Sequence, residues 1–293
     1  MFPAKLLLFG EHVLLLGAPA LAVPVPAFFG QWFTEGNDLQ AENSRKALQR
    51  LLPVLENKHQ EVLDVQRFRS DLEGGLFFQS NIPQGYGMGS SGALCAALYD
   101  RYALRKTEDL MVLKNFLAGL EGCFHGQSSG IDPLTSYCGR PLLIRNRTEI
   151  EFVEMAAWRE ESPVVFLLDT QLPRQTGPLV QWFLQQSETA VFRKMLNERF
   201  FPAHQAMLES WVTADAGLFW PSLQEVSALQ RQWFLPMVPE KMHNVWDTGL
   251  KTGAFTLKIC GAGGGGFVLG FAHHKDGLQE LSEEFGLVFP FET

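Results

Sequence analysis

The run Lys258-Ile259-Cys260-Gly261-Ala262-Gly263-Gly264-Gly265-Gly266-Phe267-Val268 places five glycines in six consecutive positions between two short apolar stretches. Glycine costs unfolded-state entropy, and it is kept where φ must be positive or where a group has to approach the main chain closely. Phosphate is such a group. A second stretch, Pro83-Gln84-Gly85-Tyr86-Gly87-Met88-Gly89-Ser90-Ser91-Gly92-Ala93, runs straight into the small, apolar helical pattern Ala93-Leu94-Cys95-Ala96-Ala97-Leu98. A loop opening into a helix N-terminus offers N–H groups and the positive end of the helix dipole, which together bind anions. Ser90 and Ser91 add hydroxyls that can reach a metal or a phosphate. The fixed-spacing nucleotide fingerprints are absent: no G-x-x-x-x-G-K-[ST] occurs, and Gly85, Gly87 and Gly89 are spaced G-x-G-x-G rather than G-x-G-x-x-G. Either loop alone reads as well as a flexible hairpin or a bare turn. The pair on one chain points to a phosphate binder that is neither Walker nor Rossmann.

Short strands and helices must position these loops. Leu6 to Phe9 and Leu14 to Leu16 read as strands around a Gly10-Glu11-His12 bend, and Ala20 to Val25 as another. Residues 44 to 57 are helical by pattern, with Pro53 expected to kink or split the helix. Gly75 to Gln79 predicts a strand entering the first glycine loop, followed by a helix to about Tyr102 and another from Glu108 to Phe124 with Leu110, Leu113, Leu117 and Leu120 on one face. Further strands are expected at Val164 to Leu168, Phe255 to Ile259, Phe267 to Phe271 and Leu287 to Phe289, with a long helical region from Pro178 to about Trp211 and a helix around Leu278 to Phe285. Strands and helices mix without strict alternation, which favours α+β over a doubly wound sheet. Two units are expected, residues 1–158 and 159–293.

Composition narrows the class. A content of 46% hydrophobic and 19% charged residues is that of a globular protein. The net charge of -8 argues against general nucleic-acid binding but allows a local cluster for a small anion. Cys95, Cys123, Cys138 and Cys260 are scattered without C-x-x-C or zinc spacing, as in a reduced, cytoplasmic protein. Lys5 with the following leucines and Ala20-Leu21-Ala22 imitates a secretory leader, but Glu11 and His12 interrupt it. No run approaches the roughly 18 apolar residues of a membrane span, so no membrane association is expected.

Four polar islands stand out: Lys5 with Glu11 and His12, the loop at 85 to 92, Glu121 through Asp132, and the glycine run at 261 to 266. In content and order they resemble the motifs of the GHMP small-molecule kinases. Pro3 to His12 is similar to that family's first motif, Pro83 to Ala93 to its phosphate loop, and Lys258 to Phe267 to its third motif. His125-Gly126-Gln127-Ser128-Ser129-Gly130-Ile131-Asp132, with Glu121 eleven residues before the aspartate, and Asp169-Thr170-Gln171-Leu172-Pro173-Arg174-Gln175-Thr176 most resemble the mevalonate kinase branch. There the corresponding segments read Asn-Pro-Ser-Gly before the aspartate and Asn-Thr-x-x-x-Arg-x-Thr. The departures, Gly92 for Ala and Gln127-Ser128 for Asn-Pro among them, touch loop shape and the edge of the substrate pocket.

The resemblance implies a two-domain fold: an N-terminal domain like domain 2 of ribosomal protein S5 and a ferredoxin-like C-terminal domain. It also implies ATP-dependent phosphoryl transfer to a small hydroxy acid, with Mg²⁺ as the metal and a homodimer left open. Gly85, Gly87, Gly89, Ser90, Ser91, Gly92, Gly263 and Gly264 would hold the nucleotide, and Ser91 with Glu121 the metal. Asp132 is the expected base, with Lys5 favouring its charged form or stabilising charge on the transferring group. Lys5, His12, Asp132, Arg174 and Thr176 would contact the acceptor. Taken singly, Asp132 before a proline is a turn former, Glu121 a solvated helix residue and Lys5 a surface charge. Their joint occurrence in matching motifs favours function. Mevalonate is the expected acceptor, against phosphomevalonate or a sugar, or a sensor that binds nucleotide without turnover.

Overall fold

The computed structural model describes residues 1–36, 38–158, 162–173 and 176–292, with the backbone alone for His125 and Thr176. The N-terminal sheet is built on two long antiparallel strands, β1 (Phe2–Phe9) and β2 (Ala20–Phe33). β3 (Phe77–Ser80) pairs with the distal end of β2, and β4 (Leu142–Asn146) with its start; β5 (Glu149–Phe152) lies outside β4. β2 therefore continues well past Val25. Its Pro24 and Pro26 fall between the residues covered by β4 (Ala20 to Ala22) and by β3 (Gly30 to Phe33), where a missing N–H breaks no bond to either neighbour.

Leu14 to Leu16 is not a strand. Val13–Leu16 forms a single 3₁₀ turn closed by Gly17 at φ 90°, because three apolar residues before such a glycine are too few to reach a neighbouring strand. The helices of this half are α1 (Leu39–Lys58), α2 (Val65–Glu73), α3 (Ser90–Tyr102), α4 (Leu110–His125) and α5 (Ile131–Cys138). Pro53 does not split α1, whose buried Leu48, Leu51 and Leu55 pack on both sides of the proline. α3 packs against α4, α5 and β1, and its small residues, Ala93 and Cys95 to Ala97, are fully buried.

The second sheet contains β6 (Val164–Asp169), β7 (Phe255–Ile259), β8 (Phe267–Ala272) and β9 (Leu287–Val288) in the order β7-β8-β6-β9, every neighbour antiparallel. Between β6 and β7 lie α6 (Thr176–Ser187), α7 (Ala190–Met195), a π turn at Leu196–Phe200, α8 (Phe201–Thr213), α9 (Ala216–Trp233) and α10 (His243–Thr252). The long helical region expected after Pro178 is thus several pieces. α11 (Gln279–Glu284) precedes β9. The α+β class holds. One apolar core joins the sheets: Phe9 of β1 stacks on Phe271 of β8 at 6.0 Å and meets Trp211 of α8 edge-on at 5.7 Å.

Candidate active site

How the helices begin separates structure from chemistry. α1, α2, α4 and α9 start at aspartates (Asp38, Asp64, Asp109, Asp215) whose carboxylates accept first-turn N–H groups. α3 and α5 start at Gly89 and Gly130, both at φ 75° and without a capping side chain of their own; in α5 the Ser129 hydroxyl accepts the first N–H, that of Ile131, at 3.3 Å. These two N-termini frame the candidate site. At Gly89 a positive φ turns the phosphate loop into α3, and the dipole's positive end is left facing the loop.

β1 anchors the loop through the Lys5 N–H, which donates to the Met88 carbonyl at 2.9 Å. The Lys5 side chain reaches Asp132 in the first turn of α5, with Nζ 2.6 Å from Oδ1. A Cβ built on Gly89 would stand 3.4 Å from the Asp132 Cβ and 3.6 Å from the Lys5 Cβ, so the last loop glycine lies next to both partners. Residues 5, 89 and 132 thus form one contact group. The Lys5 side chain is buried, whereas that of Asp132 is 29% exposed, so the carboxylate has a solvent-facing side from which it can accept a proton.

Glu121, on the inner face of α4, is 5% exposed. Its Oε1 accepts from the Ser91 hydroxyl at 2.8 Å and its Oε2 from Ser128 at 2.5 Å. Burial, and then the nearby Asp132 charge, push its carboxyl above the ordinary value. A buried carboxylate held by hydroxyls and destabilised as an anion is a fitting seat for a hard cation. Among the described residues no group of three or more His, Cys, Asp or Glu is placed to hold a metal. The Ser91 hydroxyl and the Glu121 carboxylate are hard-oxygen groups of the type that could contribute to a divalent-cation site. Ser128 escaped the sequence reading. Its signal was local: its Oγ also accepts the Gly130 N–H at 2.9 Å, a turn that needs a hydroxyl two residues before the glycine.

The glycine run joins β7 to β8 and packs on protein. The N–H of Gly264 donates to the Met237 carbonyl at 2.7 Å, and that of Gly266 to Leu172 at 2.9 Å. A Cβ on Gly263 would lie 2.6 Å from the Met237 carbonyl oxygen, and one on Gly264 would lie 2.5 Å from Leu179 Cδ1. Gly92 likewise faces protein: its Cβ would lie 2.8 Å from the Pro133 nitrogen, so the missing methyl lets α5 approach α3. Gly85 and Gly87 keep φ values of 81° and 75° in the loop itself, and Gly85 has open space where a Cβ would be.

The first motif also turns toward the second sheet. The Lys258 Nζ is 2.7 Å from Glu11 Oε1 with both side chains buried, and burial raises the Glu11 carboxyl while Lys258 opposes that. His12 Nε2 meets the Ala262 carbonyl at 3.0 Å, and its ring packs 5.2 Å from Phe183. His204 Nε2 meets the Pro19 carbonyl at 2.8 Å, burial pushing its imidazole down to about 4. These contacts make a polar joint between the sheets beside the site. A lysine inside the mostly apolar strand Phe255 to Ile259 is its signal in the sequence. Arg174 and the Thr176 side chain lie outside the described residues.

Residues 44–140 match the family model described as the GHMP kinases N terminal domain. A mevalonate kinase of Pyrococcus abyssi (strain GE5 / Orsay) is 24% identical over 314 residues, covering 93% of this chain and 88% of that protein. The structure of L. major mevalonate kinase in complex with R-mevalonate has a TM-score of 0.66 at 17% identity, covering 96% of this chain and 89% of that one. Streptococcus pneumoniae phosphomevalonate kinase has a TM-score of 0.64 at 14% identity, over 98% of this chain and 97% of that one. The structural likeness is one of fold, and the matches together support the GHMP kinase superfamily and phosphoryl transfer to a small hydroxylated substrate.

Proposed function

We propose that this chain is an ATP-dependent kinase that phosphorylates the 5-hydroxyl of mevalonate, giving 5-phosphomevalonate and ADP. The observation that carries the proposal is the Lys5–Asp132 pair, 2.6 Å apart and packed on Gly89 at the bare N-terminus of α3. Phosphoryl transfer needs a cradle for negative charge and a group that positions or deprotonates the attacking oxygen, and here the two are in contact. In this reading the first turn of α3 and the backbone of Gly85 to Ser90 carry phosphate charge. Asp132 accepts the acceptor hydroxyl's proton through its exposed side. Lys5 orients Asp132 through the 2.6 Å contact and offsets charge on the group in transfer. Ser91 and Glu121 would hold Mg²⁺, which would supply positive charge to offset the negative charge of the phosphates. Arg174 and Thr176 are assigned to the acceptor by resemblance. His12, turned to Ala262, would act at the acceptor pocket's wall.

The division into residues 1–158 and 159–293 belongs to the same proposal. The order β7-β8-β6-β9, with helices after β6 and before β9, supports a ferredoxin-like C-terminal domain. Mevalonate is favoured by the Pyrococcus abyssi match. The nearly equal TM-score with a phosphomevalonate kinase keeps phosphomevalonate as a second acceptor reading. A panel of mevalonate, phosphomevalonate, galactose and homoserine in a coupled ADP-release assay decides among them. Acceleration by mevalonate alone is expected. ADP release that no acceptor accelerates would reject the kinase reading.

A further inference from the structure

Tyr86 is the one aromatic residue between Pro83 and Ser91, and the chemistry above does not use it. Its side chain leaves the phosphate loop and crosses to the second sheet. The ring lies 4.6 Å from that of Phe267, and its hydroxyl oxygen is 3.3 Å from Asp169 Oδ2. Burial and then the Asp169 charge push the phenol above its ordinary value, so the hydroxyl keeps its proton and donates to the carboxylate. A Cβ on Gly266 would stand 3.4 Å from the Tyr86 Cα, so the loop lies close beside the glycine run. The chain of contacts continues beyond it. The Thr170 N–H and Oγ1 both donate to the Gly266 carbonyl, at 3.0 and 2.6 Å, and the Gly266 N–H donates to Leu172 at 2.9 Å. Asp169 to Leu172 is the stem of the segment that leads to Arg174 and Thr176.

Resting on the kinase reading, we propose that Tyr86 is a positioning residue that couples the phosphate loop to the acceptor segment, so that nucleotide and acceptor bind cooperatively. A loop with glycines at alternate positions has many conformations to lose on ordering. Tyr86 ties it to a stem that the acceptor also orders. Whichever ligand binds first removes part of the ordering cost for the second, which is positive coupling by conformational entropy. The Tyr86 side chain is engaged by Phe267 and Asp169, so its effect runs through the loop.

The test measures affinity for a non-hydrolysable ATP analogue with and without saturating mevalonate, the ratio being the coupling factor. Tyr86→Phe removes only the hydroxyl, and a reduction of the factor by about three- to tenfold is expected, since 3.3 Å is long for an O–H···O bond. Affinity for the ATP analogue alone should fall only modestly, because a looser loop has more order to lose, and Tm should change little; a merely structural role would lower Tm and both affinities and leave the ratio. Asp169→Asn keeps an acceptor oxygen and should retain most of the coupling. Asp169→Ala should behave like Tyr86→Phe, and combining the two should add no further loss. An unchanged factor in Tyr86→Phe, or losses that add, overturns the inference. ADP formation by the parent, read in the same series, tests the kinase reading separately. Amide exchange of the free protein decides the link whether or not any acceptor is turned over: Tyr86→Phe should speed exchange in residues 85–89 and 169–172 together, and unchanged exchange at 169–172 overturns it.

Discussion

Asp132→Asn keeps the shape of the side chain and one oxygen for Lys5 but removes the negative charge and the proton acceptor. Two costs follow, and they differ in size. Removing one partner of a fully buried ion pair costs about 3–5 kcal/mol. Asp132 is 29% exposed and the substituted amide still accepts from Lys5, so the loss of stability is discounted to about 1–2 kcal/mol. Against a total of about 5–15 kcal/mol, such a loss leaves less than about 1% of molecules unfolded at 25 °C. Loss of a positioned general base lowers kcat by about 10²–10⁴, which at 1.36 kcal/mol per decade is about 2.7–5.4 kcal/mol of activation free energy. A fall in rate of that size at 25 °C cannot arise from unfolding. Steady-state kinetics with mevalonate, a thermal melt, and binding of an ATP analogue separate the effects: kcat should collapse, Tm should fall by a few degrees, and nucleotide affinity should hold. If Lys5 acts through Asp132, adding Lys5→Met to Asp132→Asn should lower kcat far less than Lys5→Met does alone. A kcat for Asp132→Asn within tenfold of the parent would refute the assignment.

Glu121→Gln, Ser91→Ala and Ser128→Ala should each raise the Mg²⁺ concentration needed for half-maximal activity more than they change the KM of the acceptor; curves that overlay the parent's would remove these residues from the metal site. Because the Glu121 carboxyl is raised above its ordinary value, its contribution to stability in the ion-free protein is full below the unfolded value and is lost as pH rises through the folded one. Mg²⁺ needs the ionised form, so its affinity should climb over the same interval, as magnesium titrations across acidic to neutral pH would show. Lys258→Met strands a buried Glu11 and should cost about 3–5 kcal/mol, seen as a large drop in Tm, while the double variant with Glu11→Leu should recover most of it. Gly264→Val forces a β-branched residue to φ 73° against Leu179, where the left-handed conformation alone costs about 1–2 kcal/mol. With its N–H held by Met237, Tm should fall while the folded fraction keeps its KM for ATP; a KM raised severalfold would instead place Gly264 at the nucleotide.

What lies close in sequence was legible from the residues alone. Gly89 before two serines and a small apolar helix announces a helix end that no side chain covers, and Glu121 with Asp132 is set out along α4 and the turn into α5. The strands flanking the glycine run declared themselves by mostly apolar stretches of five and six residues, with Thr256 and Lys258 the polar members of the first. Tertiary structure decided the rest, because those contacts join residues far apart in the chain. Lys5 reaches Asp132 only when β1 lies beside α5, and Lys258 reaches Glu11 only when the two sheets share a core. The same three apolar residues that suggested a strand at Leu14 became a turn, since a strand exists only if a neighbour is there to pair with it. The glycine run shows the limit most plainly. Composition required that something approach its backbone closely, and in the folded chain Met237, Leu179, Pro173 and Tyr86 do so. A bare main chain is equally suited to a phosphate and to a tightly packed neighbour, and sequence composition does not distinguish the two; which protein groups lie against the run is set by where the fold brings Met237, Leu179, Pro173 and Tyr86.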